Sequence, residues 1–70
     1  MKISARNKLV GKVIQVNEGS VNTEVVIELA PGVNITSIIT KTSARDLEIE
    51  VGKKVYAVVK ASNVLVGVDH

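Results

Sequence analysis

The residues in this chain that could do chemistry are hydrogen-bond donors gathered on three short stretches. Ser4, Arg6 and Asn7 form the first, Thr40, Thr42 and Ser43 the second, and Lys60, Ser62 and Asn63 the third. Each stretch borders an apolar run that reads as a strand. Hydroxyls and backbone N–H groups, charge-assisted by one Arg and one Lys, make a donor-only set that suits a small, fully deprotonated oxyanion. Phosphate retains protons near neutral pH and would turn an O–H toward those donors, an unpaired contact. The first and third stretches are near-copies. Ala5-Arg6-Asn7-Lys8-Leu9-Val10-Gly11 and Ala61-Ser62-Asn63-Val64-Leu65-Val66-Gly67 differ only at Arg6/Ser62 and Lys8/Val64. We expect them to converge in space. The plainer reading of the same residues is that Ser, Asn and Thr form turns and caps, and that Arg6 and Lys60 are surface charges.

Other chemistries lack their parts. With no Cys and one His, a zinc site would have to be built from dispersed carboxylates. His70 is the last residue, so no Ser/His/Asp constellation can form around a strand-supported His. Glu48 and Glu50 read as a solvated rim near a helix end. No catalytic residue and no metal ligand is therefore assigned, and a binding protein is expected rather than an enzyme.

The elements that must position the donors follow from composition. The chain has 70 residues, is 46% hydrophobic, and has no Phe or Trp and one Tyr. Its apolar content is chiefly Val and Ile, whose branched side chains favour strands. A single domain over residues 1–70 is expected. A chain this short buries only about 60% of its unfolded surface, and with no disulfide to staple it, oligomerisation is the usual remedy. The net charge of +2 is mild and scattered, so no polybasic patch is visible. No apolar run approaches the roughly 18 residues needed to span a bilayer, no signal-peptide layout appears, and cytoplasmic residence is expected.

Five strands and one helix are predicted. The strands run 8–16, 21–29, 33–40, 55–60 and 64–68, with turns at Asn17 to Ser20 and Ala30-Pro31-Gly32. The second alternates most cleanly, with Val21, Thr23, Val25, Ile27 and Leu29 on one face. The first carries apolar groups on both faces, as expected for a barrel strand that also meets another subunit, and Gly11 within it marks a bulge or a close backbone approach. Ser43 and Asp46 have capping-box spacing and Gly52 is placed as a stop, so a helix of about two turns is expected between them, contributing Leu47, and with it Ile49 or Val51, as a lid. This order is that of an all-β, five-stranded OB-like barrel with a short helix between strands three and four.

Ser4-Ala5-Arg6-Asn7, Thr42-Ser43-Ala44 and Val59-Lys60-Ala61-Ser62-Asn63-Val64, in this order over the whole length, resemble the molbindin (Mop) family. These are small cytoplasmic molybdate-binding proteins whose fold recurs as the TOBE domain. The resemblance implies an oxyanion site for molybdate, and also tungstate, with a storage or homeostatic role and no organic cofactor. It implies that Ser4, Arg6, Lys60, Ala61 (through its backbone) and Ser62 supply one side of that site. Thr40 and Ser43 match positions that the family contributes from a neighbouring subunit, within a hexamer built as a trimer of entwined dimers. It further implies a single-Mop form with no DNA-binding or ATPase domain attached. The alternative is an OB-like module for single-stranded nucleic acid. Such modules stack bases on aromatics along a basic groove, and only Tyr56 is available here, so neither nucleic acid nor membrane is expected as a partner.

Overall fold

A computed structural model describes residues 2–69; His70 lies outside the described residues. Four strands and one α-helix are formed, as β1 (Asn7–Glu18), β2 (Asn22–Ala30), β3 (Val33–Thr40), α1 (Lys41–Asp46) and β4 (Lys54–Val59), followed by a 3₁₀ turn at Ala61–Asn63. The strands make one antiparallel sheet in the order β3-β2-β1-β4. The sheet curls, so that its two edges, β3 and β4, face each other across an apolar cavity of about 330 Å³ lined by Val25, Ile27, Ile39, Ile49 and Val55.

The alternation read in β2 is what builds the core. Thr23, Val25 and Ile27 are buried with Val13 of β1 and Ala57 of β4, and Leu29, Ile35, Ile39, Ile49 and Val55 pack around them. The hydroxyl of Thr23 is enclosed there without a hydrogen-bond partner. Among the described residues four apolar side chains are buried and fourteen large ones are exposed. That imbalance leaves much apolar surface in water, where burial would be worth roughly 25 cal/mol per Å².

β1 departs from simple alternation at one point. Val13 pairs with Ile27 and Gln15 with Val26, so Ile14 is an extra residue without a cross-strand mate, a β-bulge. Before it, Gly11 and Val13 face the core; after it, Val16 does. Gly11 is the predicted close approach, since a Cβ there would sit 2.5 Å from Ile27 Cγ2 and 2.7 Å from the Glu28 carbonyl oxygen. The β2–β3 hairpin closes through Pro31 and Gly32, the latter at φ 77°, the positive value that a type II turn requires of its third residue.

Two expectations are corrected. The fifth strand does not form. Residues 64–68 are exposed, Leu65 and Val66 at about 90%, because neither sheet edge within the chain takes them up. A strand without a partner has no ladder for its N–H and C=O groups. The near-repeat is therefore one of sequence and not of structure, as Asn7–Gly11 is paired in the sheet and Asn63–Gly67 is not. The helix is also shorter and set earlier than predicted. Thr40, not Ser43, is its N-cap, and it stops at Asp46 rather than running to Gly52. Of the expected lid residues, Leu47 and Ile49 both line the cavity, Ile49 packing against the core and Leu47 more than half exposed, while Val51 stays exposed.

Candidate functional site

The β1–β4 register decides where the first and third donor stretches go. Its last pair is Asn7 with Val59, so Arg6 and Lys60 are the next residues at that end of the sheet, with Ser4 in a bend and Ala61–Asn63 in a 3₁₀ turn beyond the ladder. The two stretches thus both begin at one end of the sheet. Beyond Lys60 the chain turns within three residues, with Asn63 N–H donating to the Lys60 carbonyl at 2.8 Å. The first N–H groups of such a turn have no partner within it, and those of Ala61 and Ser62 find no other backbone acceptor among the described residues. Ser4, Arg6, Lys60, Ala61 and Ser62 are all exposed, and their side chains make no hydrogen bond or ion pair among the described residues. The result is a cluster of free donors carrying two positive charges.

Thr40 and Ser43 sit elsewhere. Thr40 pairs with Asn22 at the far end of the sheet, one step past the Glu18–Thr23 pair. Asn7 and Glu18 bound a 12-residue strand, a path of about 35 Å at ~3.3 Å per residue. Within one chain the two donor groups are therefore held apart. Thr40 and Ser43 are also already engaged with each other. Thr40 Oγ1 accepts from the Ser43 N–H at 3.0 Å and donates to Ser43 Oγ at 2.9 Å.

The six-residue helix carrying Ser43 buries no residue of its own, so its ends must hold it. At the N-terminus Thr40 does so. At the C-terminus Ile49 N–H reaches the Ala44 carbonyl and Glu48 N–H the Arg45 carbonyl, the paired bonds of a Schellman cap. Glu48 occupies the left-handed position of that cap, at φ 54°, where glycine is the usual occupant. Lys53 adds a clamp, its Nζ donating to the carbonyls of Leu47 at 2.6 Å and Glu48 at 3.2 Å. Lys53 read in sequence as a plain lead into the fourth strand. Its signal was weak, a Lys just after a helix end with carbonyls left to cap.

The TOBE domain family profile matches residues 3–66. The chain belongs to the Mop (TOBE-domain) family. It is 46% identical over 69 residues to a probable molybdenum-pterin-binding protein of Haemophilus influenzae, covering 99% of this chain and all of that one. Among solved structures it is similar to apo MopII of Clostridium pasteurianum, at 45% identity and TM-score 0.89, covering 96% of this chain and all of that one. It is likewise similar to a molybdate-binding protein of Sporomusa ovata, at 39% identity and TM-score 0.88, covering 94% and 97% of the two chains. Those coverages extend the Mop match across the strands, the helix and both donor ends.

Proposed function

We propose that this Mop-family protein binds molybdate, and tungstate with it, as a cytoplasmic storage or homeostasis protein without catalytic activity. The observation that supports the reading is the β1–β4 register, whose last pair, Asn7 with Val59, starts the stretches holding Ser4 and Arg6 and holding Lys60, Ala61 and Ser62 from the same end of the sheet, none of these residues being a carboxylate. A tetrahedral dianion takes donors and positive charge, and this end of the sheet offers both. The names of similar proteins, a molybdate-binding protein and a molybdenum-pterin-binding protein, support the same reading.

Two loops leave one side of a tetrahedral anion open. Thr40 and Ser43 lie too far along the same chain to close it, so they reach the site from another subunit, and the site exists only in the assembly. The unpaired β3 and β4 edges and the exposed 64–68 segment support a close homo-oligomer, of which the hexameric trimer of dimers is the form proposed. Titration calorimetry on the native assembly should show molybdate heat that survives excess phosphate and sulfate. Equal, weak heats from all three anions would reject molybdate as the ligand.

A further inference from the structure

Lys53 and Lys54 are neighbours in sequence and differ in what they touch. The Lys54 side chain is exposed and makes no hydrogen bond or ion pair among the described residues. Lys53 is half-buried, and its ammonium makes no ion pair with Glu48 or Glu50. It donates instead to two backbone carbonyls, those of Leu47 at 2.6 Å and Glu48 at 3.2 Å. The Lys53 backbone is fixed from the other side. Its carbonyl accepts from the Val13 N–H at 2.9 Å, and the Gly52 N–H donates to the Val13 carbonyl at 2.8 Å. Val13 is fully buried in the core. Lys53 therefore spans from the centre of β1 to the C-terminal end of α1.

What it holds there is an unfavourable conformation. At φ 54° the Glu48 Cβ crowds the backbone, a clash that glycine escapes. The last carbonyls of a helix lack intrahelical partners and lie at the negative end of its dipole, so an ammonium bonded to them is charge-assisted. From Lys53 a run of bonds leads back through the helix. The Leu47 carbonyl accepts from Lys53, the Leu47 N–H donates to the Ser43 carbonyl at 2.9 Å, and the Ser43 N–H donates to Thr40 Oγ1 at 3.0 Å. The helix has six residues and buries none, so its own packing does not fix the turn that carries Ser43.

We infer that Lys53 is a positioning residue for Ser43: its ammonium offsets the left-handed strain at Glu48 and so sets where the Ser43 hydroxyl stands for molybdate. The last clause rests on the reading that Ser43 reaches the anion from another subunit; the coupling of Lys53 to the Ser43 turn does not.

The test uses the full chain in its native assembly. Lys53→Met keeps the stem and removes the donors, and calorimetry should show molybdate affinity lowered roughly 3- to 10-fold. Lys54→Met should bind as wild type does. Glu48→Gly relieves the strain, so Lys53→Met/Glu48→Gly should bind within about two-fold of Glu48→Gly alone. If Lys53→Met fails to fold, that second comparison still decides. Hydrogen exchange without ligand supplies a readout that general destabilisation would not reproduce. The Ser43 amide should exchange several-fold faster in Lys53→Met while the amides of the inner strand β2 keep their wild-type rates. Wild-type affinity in Lys53→Met, a loss that Glu48→Gly does not repair, a fallen native mass, or an unchanged Ser43 exchange rate would overturn the positioning role. Wild-type protein that gives no molybdate heat would overturn the ligand reading, and the exchange rates would then decide the coupling by themselves.

Discussion

The two ends of β1 carry donors in opposite states of readiness. At the Asn7 end, Arg6, Lys60 and Ser62 have no side-chain partners among the described residues. At the Glu18 end, Thr40 and Ser43 are bonded to each other, and their helix is clamped by a Schellman cap and Lys53. In the proposed site the free end would supply charge and the bonded end fixed geometry. Ordering flexible side chains on a ligand costs conformational entropy, so a site that joins one rigid and one loose half places that cost on the cationic side.

Substitutions should separate the halves. The largest effect is expected at the free end, where Arg6→Ala or Lys60→Ala removes a charge-assisted bond and should weaken molybdate binding roughly 10- to 100-fold. Thermal unfolding should leave Tm near wild type, and a large fall would show that the free end holds the fold. Gly11→Ala strikes the frame between the ends. The added methyl meets Ile27 and a backbone carbonyl, and overpacking of this kind costs about 1–3 kcal/mol, read as a lower denaturation midpoint. Thr40→Ala removes a cap worth about 1 kcal/mol and unlocks Ser43, so stability and molybdate affinity should fall together. Loss of only one of the two in calorimetry and thermal melts would mean that cap and site are independent. The smallest effect is a gain. Thr23→Val replaces an unpartnered buried hydroxyl with a methyl and should stabilise by about 1 kcal/mol, with ligand affinity unchanged.

What could be read in the sequence follows this division. β2 was legible because its alternation and its burial are the same fact, with Thr23, Val25 and Ile27 inside. The pairing of the first and third donor stretches was legible from the strands they border. The helix was displaced because two cap signals compete within four residues, and Thr40 wins by accepting from Ser43 N–H. Its end was misread because Gly52 suggested the stop, whereas Glu48 takes the left-handed position despite its side chain. The apolar run at 64–68 has the periodicity of a strand, but periodicity does not say which chain supplies the edge. The separation of Thr40 and Ser43 from Arg6 and Lys60 needed the register, which no local pattern contains.

The extra residue at Ile14 sets a rule for how β1 can vary. It lets Val10 look outward and Val16 look inward on one strand, although both are even-numbered. Exchanging Ile14 for another residue leaves that division intact. Deleting it leaves Val10 and Val16 five positions apart, on opposite faces by plain alternation, so the core face is kept while the bulge and its local twist are lost. At this position the strand can shed a residue without turning its faces over, whereas a one-residue deletion elsewhere in the ladder would carry every side chain beyond it to the other face.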